Sequence, residues 1–380
     1  MRVLYFSRDY TTHDRRYLES LVDAGYDVVF LRLERGAVAY EGREIPPGVC
    51  QVAWSGGRSR VRPWMWPGLL KELRRVLREF NPDLVHAGPV PSCGFLAALA
   101  GAKPLVAMSW GSDVLIEAER NPVVRWITRY TLQHADVIVG DCRAVREKIR
   151  ALAEVSDERI VTYPWGIDLH LFGPRRSNLN LRESLGWTRA RVFLSCRSWE
   201  PPYHIDVLVA AFHKVAREAE TARLLLLGDG SMAPQIKKMI DKGGYRDRIY
   251  MAGQIPQSSL PDYYNLADVY VSSVPSDGTS ISLLEAMACG LPVIVADAPG
   301  NREWVVPEAN GWLFQPGNPD SLADAMKSAV QPAGSDVRMR EANIELARQK
   351  ADWNKNFQVL LSAYTAALQS GRSCALELAG

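Results

Sequence analysis

Residues 267–297 read ADVYVSSVPSDGTSISLLEAMACGLPVIVAD, and the succession of residue types in this stretch decides the fold. An apolar run over residues 267–274 is long enough for one buried strand and then breaks at Pro275, Asp277 and Gly278. Helix formers follow from Ile281 to Ala288, and Gly290 with Pro292 mark the stop. Residues 291–297 (LPVIVAD) are apolar almost throughout, the pattern of a parallel strand buried on both faces. Strand, turn, helix, strand makes a βαβ unit, so the Asp277 turn falls at the carboxyl end of a strand, where open α/β sheets bind ligands. Thr279, Ser280 and Ser282 crowd the helix start, and their hydroxyls are expected to satisfy its unpaired N–H groups. Those N–H groups and the helix dipole favour an anion. Asp277 before the helix and Glu285 inside it, eight residues apart, set a carboxylate on each side of that cradle. The arrangement suits a ligand carrying both phosphate and hydroxyl groups. A plain capped turn of an α/β unit uses the same residue types.

Outward from this unit, the same rhythm fills the chain. Apolar strand segments at 3–7, 27–33, 50–54, 84–87, 105–109, 137–140 and 160–163 alternate with amphipathic stretches such as 14–24, 68–80 and 123–134. After a turn-rich segment, PWGIDLHLF at 164–172, strands recur at 191–196, 222–227, 248–251, 267–273 and 291–297. The pattern predicts two Rossmann-like, doubly wound α/β domains facing across a cleft, with a ligand held in that cleft. The expected boundaries are residues 1–170, residues 171–352 and a C-terminal helical segment, residues 353–380, that packs back on the first domain.

The bulk properties exclude several classes. The 380-residue chain is 47% hydrophobic and 23% charged with a net charge of +2, which gives no electrostatic footprint for nucleic acid. Six cysteines (Cys50, Cys93, Cys142, Cys196, Cys289 and Cys374) show no C-x-x-C pair and no His at ligand spacing. That argues against a zinc site or a disulfide framework and suits a reducing cytoplasm. MRVLYFSRDY is broken by charge too early for a signal peptide, and no apolar run nears the ~20 residues of a spanning helix.

Arg197 ends the strand RVFLSC and is expected at the same sheet edge as the Asp277 turn, where a guanidinium suits bidentate phosphate binding. No D-x-D pair occurs, so fixed cations and a helix start, rather than a carboxylate-held metal, are expected to neutralise a diphosphate. GDGSMA at 228–233 matches the dinucleotide fingerprint in form, but Pro234 interrupts its helix, and a tight or phosphate-facing turn is the better reading. In the first half, RDYTTHD at 8–14 follows the first strand; His13 and Asp14 there could do proton or hydroxyl work, or Asp14 could simply cap the next helix. Residues 58–78 (RSRVRPWMWPGLLKELRRVLR) run from Arg58 to Arg78 and set Trp64, Trp66 and a leucine stripe against a basic face. Such a helix fits an anionic membrane surface, and it also fits a packed helix with a solvated basic side.

At this point the residues resemble a family. VPSDGTSISLLEAMACGLPVIVAD looks like the signature of the family 4 retaining glycosyltransferases, which use nucleotide sugars on the B-type glycosyltransferase fold. PDLVHAG, ADVIVGD, PWGIDLHLF, LLLLGDG, ADVYVSS and NGWLFQPGN match that family's landmarks in order across most of the chain. The resemblance implies that Glu285 binds the ribose and that Asp277 faces the donor sugar as a shorter first acid. It implies that Gly278, Thr279, Ser280 and Ile281 hold sugar and diphosphate and that Arg197 grips the diphosphate. The chain departs from the family pattern in three places. The lysine expected after the arginine is replaced within RSWEPPYHID by Tyr203 or His204, Trp110 in SWGSD stands where a histidine is usual, and RDYTTHD replaces a Gly-rich loop.

The implied activity is a metal-independent hexosyl transfer with retention at the anomeric carbon. The donor would be a UDP- or GDP-sugar, and the acceptor a cell-envelope, polysaccharide or lipid-linked hydroxyl. The implied location is cytoplasmic and peripheral at the membrane. His13, Asp14, Trp110 and Asp113 are the acceptor-side candidates, and no cofactor beyond the sugar nucleotide is implied. A non-catalytic nucleotide-sugar-binding protein and a sugar-nucleotide epimerase or hydrolase on the same fold remain as alternatives.

Overall fold

The strands form where β-branched and leucine-rich runs can bury both faces. In the computed structural model, which describes residues 1–35, 44–178, 180–330 and 335–377, they assemble into two all-parallel sheets. The first has seven strands: β1 (Arg2–Ser7), β2 (Asp27–Arg32), β3 (Val49–Gln51), β4 (Leu84–Gly88), β5 (Leu105–Met108), β6 (Val137–Gly140) and β7 (Ile160–Thr162). Their spatial order is β3-β2-β1-β4-β5-β6-β7. The second has six: β8 (Arg191–Ser195), β9 (Ala222–Leu227), β10 (Ile249–Gly253), β11 (Val269–Ser272), β12 (Val293–Ala296) and β13 (Gly311–Phe314), in the order β10-β9-β8-β11-β12-β13. Each order reverses direction once, beside β1 and beside β8, which makes both sheets doubly wound.

Every residue of β4 and β11 is buried, as expected for central strands covered on both faces. The second sheet carries one apolar core on each face. One gathers Phe193, Phe212, Leu224, Leu226 and Ile294, and the other gathers Leu194, Leu225, Tyr270, Leu284 and Val293. Strand β13 is not among the segments expected from sequence. It is an edge strand of four residues whose Trp312 and Leu313 are only half-buried, so its apolar signal is weak. The expected strand at 50–54 is shorter and shifted, ending at Gln51.

The chain divides into two compact units, Met1–Tyr163 joined by Phe357 onward, and Pro164–Asn356. The crossover thus falls at Pro164 rather than at residue 170. Backbone pairing is the reason: Ile167 N–H donates to Ala351 O at 2.7 Å and Trp353 N–H donates to Ile167 O at 3.0 Å. Ile167 and Phe172 then sink into the second unit's core. The helix Trp353–Glu377 carries Tyr364 into the first unit, where its hydroxyl lies 2.5 Å from His86 Nδ1. Cys374 and residues 378–380 lie outside the residues whose side chains are described; the other five cysteines are free thiols.

Candidate functional site

In the second sheet β8 and β11 are neighbours at the reversal point, so the segments leaving their carboxyl ends meet. Arg197 leaves β8, and the turn at 273–280 leaves β11 and feeds the helix Ile281–Ala288. Arg197 Nη2 donates to Asp277 Oδ2 at 2.9 Å, and Nη1 donates to Ser280 Oγ at 2.9 Å and to Ser282 Oγ at 3.0 Å. Its guanidinium also lies over the Tyr203 ring, 4.8 Å from the centroid. The arginine side chain is 14% exposed and the aspartate 21%, so the pair is largely withdrawn from water. Burial disfavours the guanidinium charge, but the Asp277 carboxylate together with Tyr270, Tyr203 and Cys196 more than offsets it, and the arginine's pKa stands above its ordinary value. Arg197 Nε is buried and has no hydrogen-bond partner.

This geometry corrects one expectation. Ser280 is the N-cap of the helix, yet no side chain caps it. The Ser280 and Ser282 hydroxyls turn instead to Arg197, because a half-buried cation competes for acceptors more strongly than a neutral amide does. Tyr270 OH, 2.7 Å from Ser282 Oγ, braces the second hydroxyl from beneath. Thr279 and Ser280 are buried, Gly278 is buried with them, and Ile281 is half-buried.

Glu285 lies one turn deeper and is buried. Tyr264 OH donates to Glu285 Oε2 at 2.9 Å and also approaches Cys196 Sγ at 3.0 Å. Burial and the nearby Glu285 carboxylate push the Cys196 thiol up to about 12, so it stays protonated. Tyr264 and Tyr270 were not singled out by sequence reasoning. Their hydroxyls act across 21 and 12 residues, and neither spacing leaves a local signature.

Two glycines let backbones close around the site. Gly228 has φ +101°, and a Cβ there would stand 2.6 Å from Arg197 O. Gly300 would meet Asp277 O at 2.4 Å. The GDGSMA segment is therefore a tight turn that packs under residues 197–199, with Met232 N–H donating to Trp199 O at 2.9 Å. Of the two residues at the missing lysine position, Tyr203 meets Arg197. His204 sits in a left-handed conformation, φ 52°, as the link into the helix Ile205–Glu218.

The first unit repeats the placement at its own reversal point. Asp14 is buried in a capping box with Thr11, whose N–H donates to Asp14 Oδ2 at 2.8 Å, while Tyr5 OH donates to Oδ1 at 3.1 Å. Burial holds its pKa above the ordinary carboxylate value. His13 stacks obliquely near Trp110, with ring centroids 6.0 Å apart. Asp113 is buried beneath, accepting from Val90 N–H at 2.9 Å and from Ser109 Oγ and Trp110 N–H at 2.8 Å each. Burial raises its pKa to about 6. Asp14 and Asp113 thus brace loops, and His13 with Trp110 form the half-exposed pair of this cluster. Among the described residues no three His, Cys, Asp or Glu side chains converge as metal ligands would.

Two doubly wound parallel sheets, with an arginine and a helix start at one reversal point, are the layout of the two-domain B-type glycosyltransferase fold. Two family models match in tandem: glycosyltransferase family 4 over residues 11–171 and glycosyl transferases group 1 over residues 178–346. The chain belongs to these group 1/family 4 glycosyltransferases. It is 25% identical over 317 residues to the GDP-mannose-dependent alpha-(1-6)-phosphatidylinositol monomannoside mannosyltransferase of Mycolicibacterium smegmatis, covering 80% of this chain and 81% of that one. It is 29% identical over 245 residues to the D-inositol 3-phosphate glycosyltransferase of Xylanimonas cellulosilytica, covering 61% of this chain and 57% of that one. Among solved structures it is similar to Anabaena Alr3699/HepE in complex with UDP and glucose, with a TM-score of 0.77 and 19% identity over 96% of this chain and 100% of that one.

Proposed function

We propose that this glycosyltransferase moves a hexosyl group from a nucleoside-diphosphate donor to a hydroxyl of a cell-envelope, polysaccharide or lipid-linked acceptor, with retention at the anomeric carbon. The observation that carries the reading is the Arg197 guanidinium fixed at the start of the helix Ile281–Ala288, with the carboxylate of Glu285 buried one turn away. In this reading the diphosphate lies against Arg197 and the helix start, and Glu285 accepts from the ribose hydroxyls. Gly278, Thr279, Ser280 and Ile281 line the sugar and diphosphate, Asp277 faces the donor sugar, and His204 closes the donor side.

The acceptor hydroxyl attacks on the face from which the diphosphate leaves, and a diphosphate oxygen takes its proton. The new glycosidic bond forms as the anomeric carbon–phosphate oxygen bond breaks. Arg197 and the helix start stabilise charge on the departing oxygen, so no metal is needed for that step. The first unit supplies acceptor recognition through His13 and Trp110, with Asp14 and Asp113 holding their loops. GDP-mannose in one relative's name and UDP in the HepE complex support a GDP- or UDP-sugar donor. The free thiols fit a cytoplasmic setting.

A panel of UDP- and GDP-sugars, screened by thermal shift and then by turnover, tests the assignment. Arg197→Ala and Glu285→Ala are each expected to lower kcat/KM on the order of a hundredfold. Wild-type rates in both variants would remove the pocket. Saturable binding without transfer or hydrolysis for any donor would leave a binding protein instead.

A further inference from the structure

The sequence singles out a basic, tryptophan-bearing helix that the proposed sugar transfer does not use, and the structure adds a second element to it. The helix Trp66–Phe80 buries Leu69, Leu73 and Val76 in the first unit's core, which settles its apolar stripe as packing. The turn before it, Pro63–Met65, is different: Trp64 is 69% exposed, with the Arg62 guanidinium 5.0 Å over its ring. On a separate element, the helix Pro122–His134, Trp126 is 56% exposed and Val123 65% exposed. The two elements flank one residue: the Phe95 ring stands 5.4 Å from Trp66 and 5.9 Å from Trp126. Exposed Ile116 precedes the second helix.

Basic residues outnumber acidic ones around these apolar tips, and the acids of the turn Glu117–Glu119 are ion-paired, Glu117 with Arg8 and Glu119 with Arg125 and Lys148. Residues 58–80 hold seven arginine and lysine side chains against two glutamates, in a chain whose net charge is only +2. Both glutamates are engaged: Glu72 accepts from Ser55 N–H at 2.7 Å, and Glu79 pairs with Arg75 at 4.0 Å. Arg120, just before the second helix, and Arg125 and Arg129 within it are exposed. Tryptophans that keep an apolar ring in solvent beside arginines match the interfacial layer of a bilayer, where the ring enters the acyl boundary and the guanidinium meets phosphate. No described helix is long and apolar enough to cross a membrane, so such a surface would act by resting on one.

We propose that the turn at Trp64 and the amino-terminal half of the helix at Trp126 form a single docking face for an anionic phospholipid bilayer. The inference is independent of the donor site, because every residue in it lies in the first unit, whereas Arg197 and Glu285 belong to the second.

The test is flotation of the full chain with phosphatidylcholine vesicles, with and without 30 mol% phosphatidylglycerol. The expected result is recovery with anionic vesicles at low salt, little with neutral ones, and a steep fall between 0.1 and 0.5 M NaCl. Arg60→Gln with Arg62→Gln should weaken partitioning about 30-fold, roughly fivefold per charge. Trp64→Ser with Trp126→Ser should abolish flotation, while Val306→Ser with Val337→Ser, which trims exposed apolar surface on the second unit, should leave it unchanged. Melting temperatures within about 2 °C of wild type show that the tryptophan variant folds, as expected for exposed sites. Equal recovery with neutral and anionic vesicles, or wild-type flotation of the tryptophan variant, overturns the proposal. Retention on a 30-nucleotide RNA but not on vesicles overturns it too.

Discussion

Asp277 is paired with Arg197 before any donor arrives, and this has a measurable consequence. A diphosphate approaching the guanidinium meets the Asp277 carboxylate 2.9 Å from the same nitrogen fork. Two unit charges about 5 Å apart at an effective dielectric near 20 repel by about 3 kcal/mol. Part of that is relieved if the carboxylate swings away, leaving on the order of 1.5 kcal/mol opposing a bare nucleoside diphosphate. Asp277→Asn keeps an acceptor for Arg197 Nη2 and removes the charge. It is therefore expected to bind UDP or GDP about tenfold more tightly by titration calorimetry. The same change should lower unfolding free energy by roughly 1–3 kcal/mol, since a largely buried arginine loses its charge partner. If Asp277 also faces the donor sugar, kcat for transfer falls while diphosphate affinity rises, a split that a purely structural aspartate does not produce. Unchanged or weaker diphosphate binding in Asp277→Asn, with the fold intact, refutes the competition.

Three further outcomes follow from the same geometry. Tyr264→Phe takes away a 2.9 Å donor from buried Glu285, so stability should drop by about 1–3 kcal/mol and donor KM should rise, read by urea titration and initial rates. Gly228→Ala places a side chain at φ +101° against Arg197 O, and it should cost about 2 kcal/mol or more and weaken diphosphate binding in parallel, read by melting and calorimetry. His86 is buried in the first unit, and burial holds its pKa at about 3 against an ordinary 6.5. Between those values the unfolded chain takes up a proton that the folded chain refuses, so stability is full above about pH 6.5 and is lost as pH falls. From pH 7.5 to 5.0 this amounts to about 2 kcal/mol, and His86→Gln should remove that part of the pH dependence in urea unfolding. Asp113, raised to about 6 by burial, works with the opposite sign, because the folded state keeps its proton longer and gains stability as pH falls from about 6 to 3.8. The His86 effect therefore stands out above pH 6 and is partly masked below it.

Much of the fold was legible because parallel strands buried on both faces have to be nearly continuous apolar runs. Strands β8, β9, β11 and β12 coincide with the segments expected from sequence, to within two residues at either end. Edge strand β13 was not legible, since half-burial leaves no such run. The meeting of Arg197 with the Asp277 turn could also be expected, because both leave strand ends in the same sheet. The hydroxyls of Ser280 and Ser282 were misjudged: local chemistry offers them a helix cap, and only a cation folded in from 83 and 85 residues away offers something stronger.

The sequence by itself thus determined the alternation of elements, the strand ends that carry charge, and the family signature, because periodicity and turn chemistry act over a few residues. The tertiary structure alone decided which acceptor each buried donor takes. Tyr264 on Glu285, Tyr203 on Arg197, Gly228 under Arg197 and the shared Phe95 beneath two tryptophan-bearing elements are contacts between distant segments. Such pairings are set by packing and by competition for partners away from water, and no local pattern in the chain records them.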